Sequence, residues 1–318
     1  MAARVAEALG EAWSVEQRSP RGDRMREAAE CLQCADALIF VGACGIAVRA
    51  VGPLLVSKAS DPAVVVLDEC GRHVIPLVSG HIGGANELAQ RIAAQIGGEA
   101  VVTTATDVNG RFSVDAWAAR QGLWISDLAS AKRFSAEILK RDLPLCSDFP
   151  IEGALPNGVY AGDSGDCGAA LSCRELRPFA QTLLLVPRIL HLGIGCRRGT
   201  TAEAVRAAIQ TVLAEHALRP EALRRAASID LKSDEAGLLA CCAELNLPLN
   251  FYAADELRAV PGEFTASAFV CRTVGVDNVC ERSAMRSAGR DARLLVRKRC
   301  IGGVTVAVAQ EDWRVSFE

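Results

Sequence analysis

Strand-like apolar runs that end in glycine-rich turns and feed helix-like stripes recur along this chain, and no other feature narrows its fold as much. The fullest case is Leu77-Val-Ser-Gly-His-Ile-Gly-Gly-Ala-Asn-Glu-Leu88. The run His73–Val78 leads into it, and Leu88, Ile92 and Ile96 then repeat every fourth residue, one stripe of a helix that Gly97-Gly98 is placed to stop. Ala37–Val41 precedes a second such turn, Gly42-Ala-Cys-Gly-Ile-Ala-Val-Arg49. Asp61–Leu67 and Ala100–Thr104 read as further strands, Pro62 standing at the start of the first, where proline is tolerated. Asp68–Gly71 is turn-like, and Ala2–Leu9 and Arg24–Cys34 read as helices. Strands alternating with helices imply an α/β fold with a largely parallel sheet.

The same order returns near Thr182. Leu183–Val186 and Ile189–Leu192 are strand-like, and Gly193-Ile-Gly-Cys-Arg-Arg-Gly-Thr200 forms the turn. Thr200 and Glu203 have capping-box spacing before a helix at Ala204–Leu213. Ala226–Leu231 reads as a strand, Leu238, Leu239, Cys242 and Leu245 as a helix face, and Leu294–Arg299 with Val304–Ala309 as a hairpin around Gly302-Gly303. Between the two halves, prolines 144, 150, 156 and 178 and five glycines break any long helix. The expected organisation is α/β: two α/β domains with mainly parallel sheets, residues 1–130 and 186–318, joined by a small irregular or β-rich middle module at 131–185.

A chain of 318 residues with 50 % hydrophobic content has ample material for such cores. A net charge of -3 and 5 % aromatics supply neither the basic field nor the stacking surface that nucleic acid binding uses. No apolar run reaches the roughly 18 residues of a membrane span. Thirteen scattered cysteines, an odd number, and an N-terminus with an acid and no apolar core read as a reduced, cytoplasmic protein.

In open sheets of this type ligands sit beyond the carboxyl ends of the strands, which would bring Gly42–Gly45, Ser79–Gly84 and Thr103–Asp107 to one edge. Within that edge His81 is the leading candidate for proton transfer, with Ser79, Gly80, Gly83, Gly84, Asn86 and Glu87 around it. The competing reading of His81 is a strand-end histidine bonded to a backbone carbonyl. Thr103, Thr104, Thr106 and Asp107 serve equally as polar ligands or as helix caps. In the second half, the helix start after Gly193, Gly195, Cys196, Arg197, Arg198 and Thr200 suits an anion, carboxylate or phosphate, and the alternative is a tight turn with solvated arginines. Gly199 stands four places after Gly195, so the dinucleotide fingerprint is broken, and no Walker lysine is present. Lys232 and Glu235 read as a local ion pair or as substrate contacts. Cys31-x-x-Cys34 and Cys70-x-x-His73 lack a second ligand pair, so no metal site is expected.

Taken in order, these strings resemble the cobalt-precorrin-5A hydrolase family of the anaerobic cobalamin (vitamin B12) pathway. Gly42–Arg49, Lys58-Ala-Ser-Asp-Pro-Ala-Val-Val65, Leu77–Leu88 and Thr103–Asp107 resemble its N-terminal region. Gly193–Thr200, Ser228-Ile-Asp-Leu-Lys-Ser-Asp-Glu235, Phe264-Thr-Ala-Ser267 and Gly275-Val-Asp-Asn-Val279 resemble its C-terminal domain. The family opens with a short strand that this chain does not show before Ala2: either the start is truncated or the strand is absent, and a sheet lacking that member is expected. The resemblance implies a hydrolase that opens the δ-lactone of cobalt-precorrin-5A with water and releases acetaldehyde, giving cobalt-precorrin-5B. The cobalt would arrive with the substrate, so no cofactor is implied. On that reading His81 is the base, the N–H groups of Gly83 and Gly84 meet the oxyanion, and Glu87 or Asp107 orients the ring. Arg49, Arg197, Arg198 and Lys232 meet substrate carboxylates, and Ser267 joins the binding set. Neighbouring pathway methyltransferases are the implied protein partners, and a homo-oligomer is allowed for. Two other classes compete: a non-enzymatic corrinoid carrier and a nucleotide-dependent transferase or oxidoreductase.

Overall fold

The computed structural model describes residues 1–11, 13–18, 24–57 and 60–317. Lys58 and Ala59 of the Lys58–Val65 string lie outside them. The chain divides into two units: Met1–Arg120 with Ser135–Asp142 and Pro156–Gly158, and Gln121–Phe134 with Leu143–Leu155 and Val159–Glu318. Both are mixed α/β with mainly parallel pairing.

The first unit contains α1 (Ala2–Leu9), α2 (Arg24–Cys34), β1 (Ala37–Val41), α3 (Cys44–Val51), β2 (Ala63–Leu67), β3 (His73–Val78), α4 (Ala85–Ile96), β4 (Glu99–Ala100), α5 (Ala105–Val108) and α6 (Val114–Arg120). Its sheet has the order β1-β2-β3-β4. All five residues of β2 are buried, which is why this run lacks the alternation of a half-exposed strand. Val65 and Leu67 pack with Leu88, Ala89 and Ile92 of α4 and Val5 and Leu9 of α1. Val64 packs on the opposite face with Ala50 and Val51 of α3. The stripe read from α4 is the face that enters the core, and Gly97 ends the helix in a left-handed conformation at φ 72°.

One expectation fails here. β3 runs antiparallel to β2, with Val64 opposite Val78 and Leu67 opposite Val74. Asp68–Gly71 is too short to return the chain for a parallel strand, which needs a crossover of about a dozen residues or more. The Asp68 carboxylate fixes the turn by accepting from the N–H groups of Cys70 at 2.8 Å and His73 at 2.7 Å. The carboxyl end of β3 therefore lies at the sheet edge opposite to that of β1. β4 is parallel to β3, so Thr103–Asp107 shares the edge of Ser79–Gly84, whereas Gly42 and Gly45 lie at the other and Arg49 follows them on α3.

The second unit begins with β5 (Trp124–Ile125) and α7 (Leu128–Ile138), whose residues divide between the units. There follow β6 (Leu143–Ser147), β7 (Ile151–Glu152), β8 (Val159–Ala161), β9 (Cys167–Leu171) and β10 (Gln181–Val186). The stretch rich in proline and glycine thus supplies most of a sheet of order β5-β10-β9-β6-β8, parallel except at β5. The remaining elements are β11 (Leu190–Gly195), α8 (Ala202–Glu215), β12 (Leu223–Ile229), α9 (Ala236–Glu244), β13 (Leu249–Tyr252), α10 (Ala254–Arg258), α11 (Ala268–Val274), α12 (Cys280–Ala288), β14 (Arg293–Ile301), β15 (Val304–Gln310) and β16 (Val315–Ser316), the last paired with β7.

β11, β12 and β13 are parallel, and β15 and β14 extend the sheet antiparallel beside β11. The β14–β15 hairpin turns on Gly302 and Gly303, at φ 58° and 85°, the positive pair a two-residue hairpin favours. α8 starts one residue later than capping-box spacing suggests: Thr201 is the cap, its hydroxyl accepting from the N–H of Ala204 at 3.3 Å, while the Thr200 hydroxyl donates to the Arg197 carbonyl. No helix among the described residues is long and apolar enough to cross a membrane.

Candidate active site

The turn after β3 is built from its backbone outward. Ser79 adopts φ 57°, a conformation uncommon for a residue with a side chain, and its hydroxyl donates to the Asp61 carbonyl at 2.8 Å. The Ala85 and Asn86 N–H groups donate back to the Ser79 and Gly80 carbonyls at 3.1 and 2.9 Å. A side chain at Gly80 would come within 2.7 Å of the Asn86 Oδ1, and one at Gly83 would collide with Ser79. The Gly84 N–H is spent on the His81 carbonyl at 3.0 Å, so the oxyanion contact expected of it is not available.

This packing holds His81 between two carboxylates. Its Nε2 lies 2.8 Å from Asp107 Oδ2 and its Nδ1 lies 3.1 Å from Asp115 Oδ1. Asp107 comes from α5 and Asp115 from the first turn of α6. The Asn86 Nδ2 donates to Asp107 Oδ2 at 3.2 Å and to the Thr104 hydroxyl at 2.9 Å, and that hydroxyl donates to the same Asp107 oxygen. The Ser113 hydroxyl and the Ala116 N–H donate to Asp115 Oδ1 at 3.0 and 3.1 Å. The side chains of His81 and Asp115 are 16 % and 11 % exposed and that of Asp107 is 33 %, which makes Asp107 the solvent-facing member.

The electrostatics follow from this geometry. The Asp115 carboxylate, accepting from the ring 3.1 Å away, raises the His81 pKa most, burial opposes it, and Asp107 adds to the rise, leaving His81 at about 8. Burial pushes both carboxyls up, but Thr104 and His81 on Asp107, and His81 and Ser113 on Asp115, hold them below the ordinary carboxylate value. Near neutral pH the trio is a cation between two anions.

Glu87, a suggested partner of the ring, is exposed on α4, and the ring is held instead by Asp107 and Asp115. Thr103 is exposed, and Thr106 is buried with a hydroxyl that has no partner among the described residues. Asp115 and Ser113 escape a reading of the sequence because an acid in a first helical turn looks like a response to the helix dipole. The Ser113-x-Asp115 spacing is their only local signal.

In the second unit, Gly193–Thr200 and Asp230–Glu235 follow the parallel strands β11 and β12 and share a sheet edge with the Gly302-Gly303 tip. Gly193 has no room for a side chain, because the Cys280 carbonyl of α12 occupies that position. Glu235, 5 % exposed, accepts from the Gly199 N–H at 2.5 Å and from Lys232 Nζ at 3.1 Å, so it pins the turn. Arg198 pairs with Asp234 at 3.0 Å, Cys196 is half-buried with its thiol pKa pushed up by burial, and Arg197 has no ion-pair partner among the described residues. Ser267 caps α11, accepting from the Val270 N–H at 3.4 Å.

Two residues that sequence reasoning passed over organise this unit. Buried Glu281 accepts from the Thr265 N–H and hydroxyl, both at 2.8 Å, and from the Lys298 N–H at 2.7 Å. Buried His191 lies 2.7 Å from the Ser287 hydroxyl and 2.6 Å from Glu311, and burial lowers its pKa. At 2 % exposure His191 is a packing element that ties β11 to α12.

The Cobalamin synthesis G N-terminal family model matches residues 27–107, and the Cobalamin synthesis G C-terminus model matches residues 190–309. The cobalt-precorrin-5A hydrolase of Salmonella typhimurium is 38 % identical over 260 residues, 76 % of this chain and 73 % of that protein. The chain belongs to the cobalt-precorrin-5A hydrolase family. The hydrolase of that name from Priestia megaterium is 31 % identical over 295 residues, 86 % of this chain and 78 % of its own. A solved structure of CobE, a protein from the cobalamin (vitamin B12) biosynthetic pathway, matches 39 % of this chain and 91 % of its own at 37 % identity, with a TM-score of 0.37. Within this family member, His81, Asn86, Thr104 and Asp107 fall inside the matched N-terminal residues, and Asp115 falls beyond them.

Proposed function

We propose that this chain hydrolyses cobalt-precorrin-5A, opening the δ-lactone with water and releasing acetaldehyde to leave cobalt-precorrin-5B, and that the chemistry is centred on His81 and Asp107. Family membership supports the reaction. The single observation that carries the centre is His81 held on both ring nitrogens by carboxylates, with one carboxylate facing solvent.

Lactone hydrolysis needs a group to take a proton from water, donors for the developing oxyanion, and a proton for the leaving oxygen. His81 and Asp107 form the proton-handling pair, and Ser79, Gly80 and Gly83 shape the backbone beside it. Once the ring is open, the freed hydroxyl loses its proton to solvent, its carbon–oxygen bond becomes the carbonyl of acetaldehyde, and the electron pair of the broken carbon–carbon bond passes into the conjugated macrocycle. The step is redox-neutral. The cobalt belongs to the substrate, and this reading assigns the chain no cofactor of its own. Arg197 and Lys232 are the cationic groups we assign to substrate carboxylates in the second unit.

The test is acetaldehyde trapped after incubation with cobalt-precorrin-5A. The wild-type chain is expected to release it, and His81→Ala to release it about 10²–10⁴-fold more slowly while still binding the tetrapyrrole. Tight binding without acetaldehyde from the wild type would make the protein a carrier.

A further inference from the structure

We propose that the water-activating base is Asp107, acting through its Oδ1, and that His81 and Asp115 are positioning residues that hold that carboxylate ionised and aimed. The assignment rests on the hydrolase reading above and divides its centre into roles.

An ionised carboxylate only accepts. His81 faces one on each ring nitrogen, at 2.8 and 3.1 Å, so satisfying both takes two N–H donors and the ring is an imidazolium. A ring in that state has no lone pair with which to take a proton from water. Asp107 is different. Its Oδ2 receives His81, Asn86 and Thr104, whereas among the described residues nothing donates to its Oδ1. Its side chain is one-third exposed, so the carboxylate faces solvent, the source of the attacking water. Asp115 is more buried and touches His81 from behind, through Nδ1. The charged groups acting on the ring are Asp107 from α5 and Asp115 from α6, and the pKa of about 8 agrees with the doubly protonated form. Glu87, on α4, is turned to solvent.

The step balances. The water oxygen bonds to the lactone carbonyl carbon as Asp107 Oδ1 takes a water proton, and the carbonyl π pair moves onto its oxygen. That pair returns, the carbon–oxygen ring bond breaks, and the leaving oxygen takes the proton from Asp107. Carboxylate and imidazolium are restored, and the new carboxylic acid loses its proton to solvent.

The deciding measurement is kcat/KM for acetaldehyde release by the wild-type chain between pH 6 and 8. With Asp107 as base the profile is level to about pH 7 and falls by no more than about 2-fold at pH 8, because the carboxylate is ionised throughout and only the His81 cation that positions it is being lost. With His81 as base it rises about 50-fold, following deprotonation of the ring through about 8. Such a rise overturns the assignment but leaves the hydrolase reading intact, whereas no acetaldehyde at any pH overturns that reading. Asp107→Asn is expected to cost about 10²–10⁴-fold in kcat. Asp115→Asn is expected to lower kcat with KM unchanged and to move the His81 titration, read by NMR, downward. An Asp115→Asn chain with an unmoved His81 titration would remove Asp115 from the role.

Discussion

The clamp on His81 predicts a pH dependence of stability confined to the first unit. Folding moves the imidazole from an ordinary 6.5 to about 8. At about 1.4 kcal/mol per pH unit this is about 2 kcal/mol of stabilisation. The side chain is only 16 % exposed, so water screens little of it. Folded His81 keeps its proton to higher pH than the unfolded residue does. The stabilisation is therefore complete below about 6.5, fades as pH rises through about 8, and is all but gone by pH 8.5. Asp107 and Asp115 stay ionised across this range and add no slope. Buried His191 has the opposite sign, since its lowered pKa costs stability as pH falls below 6.5, and it belongs to the second unit. Thiols raised by burial, such as Cys31 in the first unit and Cys173, at about 12, in the second, act only as unfolded thiols ionise near 9. Hydrogen exchange of the α4 and α6 amides at pH 6 and 8.5, corrected for intrinsic rates, reads the effect in the right unit. Protection should fall by nearly the full amount in the wild type and stay level in His81→Asn. An equal slope in both proteins, or protection that rises with pH, would refute the clamp.

Two further predictions concern the second unit. Gly193→Ala drives a methyl into the Cys280 carbonyl, so α12 must lift from β11 at a cost of about 3 kcal/mol, read as a melting point lower by roughly 6–12 °C; Gly195→Ala meets only the rotatable Thr305 hydroxyl and should cost less, and equal effects would contradict this packing. Glu281→Ala removes a buried acceptor that three donors share, so a loss of about 1–2 kcal/mol and faster exchange around Thr265 and Lys298 are expected, and unchanged exchange there would show that the carboxylate does not hold the loop.

Much of the fold is written in local rules. Glycines able to take positive φ mark the end of α4 at Gly97 and the hairpin at Gly302-Gly303, and the spacing of Leu88, Ile92 and Ile96 marks the face α4 turns inward. These features depend on neighbours within a turn or two. Strand direction was also legible, because the short Asp68–Gly71 link permits only a hairpin, yet the general habit of α/β sheets pointed the other way. The middle segment shows the limit of composition: prolines and glycines that exclude long helices do not prevent short parallel strands.

The amino-acid sequence by itself determines the α/β class, the family and the prominence of His81, because each rests on ordered patterns of adjacent residues. Which groups surround that histidine is decided by tertiary structure alone. The reversal of β3 leaves Gly42 and Gly45 at the far edge, and Thr103–Asp107, after β4, falls at the near one. The packing of α6 supplies Asp115, remote in sequence, to the second ring nitrogen. A proton's position depends on distances of about 3 Å between such groups, and those distances exist only after the chain has folded.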